Sequence, residues 1–480
     1  MISDDSGQEP SGSNATNSRG TGSPPKGVEW TDNLDQILAN LWAKTPEDDS
    51  SNFQPLLLHL LDVAACAEAI ILREPASTKD RLASMLGLPW EEARPWLLLL
   101  AASHDLGKAS PRFQAKWKIA EAKLRVAGLL PPNPDLRFSH GLASQAALAT
   151  LLQTLQWPER LAEQAAEAVG CHHGLRCSQD NLGPLDGCRS TSPLAQTWHL
   201  LRTHLLAILV ETLKPTAIPT RQRLNGPDFM LLAGLVSFTD WIGSNEAWFI
   251  FGTPEDCKDP QAWWARRQEV AERALDALGW QPRSPLLLGP TTFQSVFSDF
   301  TARPLQEVMA EIVQGIKQPS LILVEAPMGE GKTEAAFYAH LELQRNLGHR
   351  GLYLALPTKA TGNAMFQRTE AFLRKMGCAR PLDLQLLHGA TQLNDAFNNL
   401  RLSGIHSDQG SKGEGQIRAA EWFTSKKRAL LSEYGVGTID QALLPILPVR
   451  HHFVRLWGLA NRVVVFDEIH AYDTYTGTPL

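Results

Sequence analysis

Between Asp32 and about Arg273 the apolar residues recur at helical spacing, and no stretch there alternates apolar and polar side chains as a half-buried strand would. That pattern confines more than half of the chain to an all-α fold. Leu56-Leu57-Leu58-His59-Leu60-Leu61-Asp62-Val63 runs into an Ala-rich helix, and further helices are expected over 91–107, 140–156, 158–170, 194–212 and 228–243. Beyond them Gly279, Pro282, Pro285 and Pro290 punctuate a linker. The texture then changes to short apolar runs, Leu321–Val324, Leu352–Leu356 and Arg462–Phe466, separated by helical stretches. Strands alternating with helices predict a parallel α/β sheet.

The chain therefore reads as multidomain. Residues 1–27, which are Ser, Gly, Asn, Asp and Pro with few apolar side chains, are expected to be a disordered tail. Residues 28–278 form the helical domain, 279–300 the linker and 301–480 an α/β lobe, with a polar, flexible insert at 394–416. The net charge is −6, so a nucleic-acid site has to be a local basic channel and not a global basic surface. The most apolar stretch, Trp96 to Ser103, is too short to span a membrane, and the N-terminus carries no apolar signal segment. Six cysteines without disulfide-framework spacing predict a cytoplasmic location.

The chemistry of the helical domain is expected at His104-Asp105-Leu106-Gly107-Lys108, at the end of an apolar helix. His59, His140, the pair His172-His173 and Asp240 each sit at or near another helical segment, so a bundle can aim all seven positions at one spot. Neutral imidazoles bind divalent transition metals and a carboxylate can bridge two ions. Two such ions can activate a water as nucleophile and stabilise the leaving oxygen of a phosphodiester. Asp105 is the expected bridge. Lys108, one turn beyond His104, is placed to meet a phosphate oxygen. A single buried histidine is more often a hydrogen-bonded core residue than a ligand; seven His/Asp positions in this order favour the metal site. A structural zinc site from Cys171, Cys177 and Cys188 is disfavoured, because their spacings are longer than the usual Cys-x₂₋₄-Cys.

In the second half, Ala326-Pro327-Met328-Gly329-Glu330-Gly331-Lys332-Thr333 follows an expected strand and opens a helix, the context a phosphate-binding loop requires. Lys332 would reach the β- and γ-phosphates and Thr333 would hold Mg²⁺. The run Val463–Phe466 delivers Asp467 and Glu468 to a strand end, where ligands bind in open α/β sheets. Asp467 would position Mg²⁺ and Glu468 would polarise the attacking water. Thr358, Thr361, His388 and Gly437-Thr438-Ile439-Asp440-Gln441 suit either turn and capping chemistry or contacts to a nucleic-acid backbone.

The histidine–aspartate order resembles the HD superfamily of metal-dependent phosphohydrolases, which implies phosphoester hydrolysis and leaves the substrate open. The segments from 326 to 473 resemble the first RecA-like lobe of superfamily 2 DExH helicases, where Gln306 would read adenine and Asp467-Glu468-Ile469-His470 would be the nucleotide-hydrolysis motif. Together, from about residue 50 to 480, the chain resembles the CRISPR-associated nuclease–helicases of type I systems. One departure is Gly141, where an acidic or polar neighbour of His140 is expected. The resemblance implies an all-α HD-type domain followed by an incomplete RecA-like lobe, two divalent metals of the Mn, Fe, Co or Ni kind, and ATP with Mg. It also implies cleavage of single-stranded DNA and recruitment to a crRNA-guided surveillance complex. The chain stops 13 residues after Asp467, so a fragment, half of a split system or a broken gene product is expected, with weak ATP binding and no unwinding. The rival readings are an HD nucleotide phosphohydrolase and a non-catalytic DNA-binding or assembly subunit with a decayed motor. Activity on free nucleotides against polynucleotides separates the first rival.

Overall fold

A computed structural model of the chain describes residues 31–46, 52–132, 139–174, 192–377, 380–388 and 428–471, together with residues 176, 398, 417 and 418. The tail at 1–27, nearly all of the insert at 394–416, Cys177 and Cys188 lie outside the described residues.

The helical expectation holds for the first domain. Its main helices are α1 (Leu56–Leu72), α2 (Trp90–Ala102), α3 (His140–Thr154), α4 (Glu159–Gly170), α5 (Pro193–Leu213), α6 (Gly226–Gly243) and α7 (Pro260–Leu278). Helix α1 is buried on every side, as apolar residues all round its axis demand, and His59, Asp62 and Glu68 are carried inside with it. The others pack around it and bury Leu57, Leu60, Leu99, Leu148, Leu235 and Leu275 in one core. One departure is a small antiparallel ribbon, β1 (Trp42–Lys44) with β2 (Gln54–Pro55), too short for an alternating pattern to register in the sequence. A second lies at 91–107: the α-helix stops at Ala102 and a 3₁₀ turn, Ser103–Lys108, takes over. Asp105 leaves helical geometry there, at φ −105° and ψ 16°.

The second unit is an α/β lobe. Its strands β3 (Leu352–Leu356), β4 (Leu382–Leu387), β5 (Ile417–Arg418), β6 (Tyr434–Thr438) and β7 (Val463–Phe466) are all parallel, in the order β5-β4-β6-β3-β7. Helices α8 (Pro304–Gly315), α9 (Lys332–Leu347) and α10 (Lys359–Lys375) bury Val313, Leu341 and Phe366 with the core strand residues Leu354 and Val436. The strand expected at 321–324 does not form. The segment is extended, with Ile322 and Val324 packed on the second core, but it pairs with no described strand and leaves Leu321 97% and Leu323 73% exposed. An apolar run becomes a strand only where a neighbour accepts its hydrogen bonds, and β7 ends the observed ladder.

The two units are not joined by a linker alone. Trp280, within the stretch expected as linker, is buried in the first core, and Phe293–Val296 is a short helix packed on the second. Helix α11 (His452–Leu459), inserted between β6 and β7, buries Phe453, Val454 and Trp457 in the helical domain's core against α6. Glu74 and Arg350 form a buried ion pair across the joint, and Arg350 also donates to the Trp457 carbonyl.

Candidate metal centre and nucleotide loop

Five elements deliver the seven expected ligands. His59 lies in the first turn of α1, His104 and Asp105 in the 3₁₀ turn after α2, and His140 at the start of α3. His172 and His173 form the 3₁₀ turn that follows α4, and Asp240 lies in the last turn of α6. Asp105 is the hub. Its Oδ2 lies 3.2 Å from His59 Nε2 and 3.1 Å from His104 Nε2. Its Oδ1 lies 3.3 Å from His140 Nε2 and 3.4 Å from His172 Nε2. Asp240 Oδ1 lies 3.4 Å from His104 Nε2, and His173 Nε2 comes within 2.6 Å of His140 Nε2. Two trios result, His59–His104–Asp240 and His140–His172–His173, with ligand atoms of each inside 4.8 Å of one another. The departure of Asp105 from helical geometry is what puts its two oxygens between them.

Backbone carbonyls fix the tautomers of two ligands. His104 Nδ1 donates to the Ala101 carbonyl and His172 Nδ1 to the Val169 carbonyl, both at 3.0 Å. Each Nε2 is thereby aimed inward, and a metal-binding histidine commonly ties its other ring nitrogen to a carbonyl in this way. These two Nε2 atoms and Asp105 Oδ1 are buried yet make no hydrogen bond. Orphaned buried polar atoms cost roughly 1–3 kcal/mol each, so this donor set fits divalent cations. Burial pushes His59 and His140 down to about 3 and His173 down to about 4, which keeps them in the neutral form that ligates. His104 moves the other way. Burial opposes its charge, but Asp105 and Asp240 outweigh burial and push it up to about 10. Two carboxylates, buried Asp105 and half-buried Asp240, favour a positive partner at this spot.

Lys108 Nζ reaches Asp105 Oδ2 at 2.7 Å and the Ala43 carbonyl at 3.1 Å, and it lies over the Phe113 ring. It sits beside the centre, on the side lined by the β1 ribbon. No motif or spacing pointed to Lys44, whose Nζ donates to the Ser244 carbonyl one turn from Asp240, or to the Arg450-His451 pair that reaches the His173 turn from the other unit.

In the α/β lobe Gly329 and Gly331 take positive φ, 86° and 75°, and Lys332 and Thr333 open α9. Gln306 is buried; its Nε2 donates to the Gly331 carbonyl at 3.2 Å, so it abuts the loop. Lys332 Nζ donates to the Ala326 carbonyl, folded back over the loop. Asp467 stands at the end of β7, bonded through its N–H to the Ala355 carbonyl; its Oδ1 accepts from Glu468 N, and His470 Nε2 lies 3.3 Å from Glu468 Oε2. Thr358 and Thr361 cap α10 reciprocally, so capping chemistry accounts for them locally.

Residues 42–249 match the family model for the Cas3 HD domain. The chain is 41% identical to the CRISPR-associated endonuclease/helicase Cas3 of Thermus thermophilus, over 92% of this chain and 47% of that protein. The chain belongs to the Cas3 family. The T. fusca Cas3–AMPPNP crystal structure superposes with a TM-score of 0.76 at 31% identity, over 90% of this chain and 47% of that one. A chain of a pre-nicking CRISPR RNA-guided surveillance complex superposes with a TM-score of 0.64 at 27% identity, over 92% of this chain and 45% of that one. Our chain thus spans about half the length of the Cas3 relatives it matches, and that half holds both the helical domain and the parallel-sheet lobe. No described helix is long and apolar enough to cross a membrane.

Proposed function

We propose that this chain is a metal-dependent nuclease that cuts single-stranded foreign DNA, fused to an ATP-binding DExH helicase lobe. The observation that carries this reading is Asp105, one buried carboxylate that faces both of two trios of metal-type ligands. His59, His104 and Asp240 would hold one ion and His140, His172 and His173 the other, with Asp105 common to both. Such ions, Mn, Fe, Co or Ni by the mixed imidazole–carboxylate set, supply water activation and charge stabilisation at a phosphodiester. The protein's own part is to keep His59, His140 and His173 neutral by burial, to hold the shared carboxylate ionised, and to set Lys108 where a phosphate oxygen would approach. Asp105 stays ionised because His104 and Lys108 outweigh the cost of its burial.

For the lobe, Lys332, Thr333, Gly329 and Gly331 would cradle the phosphates of ATP, Gln306 would read the base, and Asp467, Glu468 and His470 would serve Mg²⁺ and water. A Cas3 relative with AMPPNP supports the nucleotide, and the relative within a surveillance complex supports recruitment by a crRNA-guided assembly.

The test is nicking of circular single-stranded DNA by the metal-stripped chain, with Mn²⁺ or Ni²⁺ restored and no ATP. We expect cleavage that Asp105→Ala abolishes. Hydrolysis of free nucleotides with intact circles would move the assignment to a nucleotide phosphohydrolase. Cleavage by Asp105→Ala at the wild-type rate would refute the site.

A further inference from the structure

The connection between β6 and β7 leaves the sheet and enters the helical domain. After the helix Ile439–Leu443, residues 444–451 reach the turn that carries His172 and His173. Arg450 Nε donates to the His173 carbonyl at 3.3 Å, and His451 N donates to the Gly174 carbonyl at 2.9 Å. The His451 ring stands edge-on to Trp241, the neighbour of Asp240, with centroids 5.2 Å apart. His451 is thus wedged between the elements that present His173 and Asp240. The fit is tight. Gly174 has φ 89°, and a Cβ there would lie 2.5 Å from both His451 N and His451 Nδ1. His451 itself is held at φ 64°, a left-handed conformation that a residue keeps only when its surroundings fix it.

His173 needs such support more than its partners do. His104 and His172 are buried and their Nδ1 atoms are tied to carbonyls three residues back in their own segments, whereas His173 is exposed at the far end of its turn. A ligand whose backbone is already fixed loses less freedom when it binds an ion.

We propose that Arg450 and His451, residues of the ATP-binding lobe, are positioning residues for the metal centre, holding the His172–His173 turn in its ligating geometry. This rests on the metal reading above.

The test is calorimetric titration of Mn²⁺ into the metal-stripped full chain. His451→Gly keeps the positive φ accessible and deletes the ring; Arg450→Ala removes the donor at an exposed position and carries the test should His451→Gly fail to fold. Each should weaken one of the two ions by about 10-fold, the low end for losing an outer-shell partner, and leave the other unchanged. Arg450→Lys, which keeps a donor, should recover most of the loss. Asn461→Ala loosens the joint elsewhere, at Ser77, Thr78 and Gly348, and should leave both affinities as in wild type. Wild-type affinities in His451→Gly and Arg450→Ala, or an equal loss in Asn461→Ala, would overturn the proposal. A wild-type chain that takes up no second ion would instead overturn the metal reading beneath it.

Discussion

Lys108 Nζ lies 2.7 Å from Asp105 Oδ2, the carboxylate oxygen that also faces His59 and His104. This cation helps keep Asp105 ionised, and under the proposed function it would also offer a charge to a phosphate arriving beside the centre. Lys108→Met keeps the stem over Phe113 and removes both. We expect the variant to retain its metals and to cleave single-stranded DNA about 100-fold more slowly, as for the loss of one transition-state charge donor. Metal content by elemental analysis, paired with a cleavage time course, separates the two roles. Loss of metal along with rate would make Lys108 structural.

Metal binding should appear as stability. Ions that bind the folded chain and not the unfolded one contribute about 2.7 kcal/mol at a hundred times Kd. Wild-type protein stripped with chelator should therefore melt several degrees lower than after Mn²⁺ is restored, by differential scanning fluorimetry. Asp105→Ala, which lacks the shared ligand, should show no such shift.

The ion pair of Glu74 with Arg350 joins the two units with side chains 0% and 2% exposed. Breaking a buried pair by removing one partner costs about 3–5 kcal/mol, whereas replacing both with apolar residues costs much less. Glu74→Ala should lower the denaturant midpoint sharply, and Glu74→Leu combined with Arg350→Met should recover most of it. A single variant no worse than the double would show that the pair is effectively solvated.

His340, on α9, is fully buried with both ring nitrogens unbonded, and burial pushes it down to about 3 from the ordinary 6.5. The unfolded chain takes up this proton near 6.5 and the folded chain only near 3. The stability linked to His340 is therefore complete above about 6.5 and falls as the pH drops through that window. At pH 5 the loss is about 2 kcal/mol, from 1.36 kcal/mol per unit. Urea titrations at pH 7.5 and 5.0 should show the lobe weakening in wild type and a smaller change in His340→Leu.

Much of this was legible in the residues. A run such as 56–61, leucine on both sides of His59, has no solvent face and can only be a central helix, and His104-Asp105 at the end of another apolar helix marks a polar pair carried inward. Long-range pairing was not legible. The run 321–324 has strand composition but no described partner, which composition cannot report. Nor could spacing reveal that Asp105 turns out of helical geometry to face both trios, or that Arg450 and His451, nearly 280 residues beyond His173, lie against its turn. The placement of Arg450 and His451 depends on how α11 docks, a tertiary event decided by the fit of Phe453 and Trp457 against α6.

Helix α11 also sets an order of assembly. Its Phe453, Val454 and Trp457 belong to the core of the first domain, yet they are encoded after the phosphate loop and after four of the five strands of the sheet. On the ribosome the helical unit therefore emerges with an unfilled groove along α6, and its core closes only once the chain has been synthesised up to the threshold of β7. Completion of the first domain's core is in this way deferred until β6 of the second unit has been made.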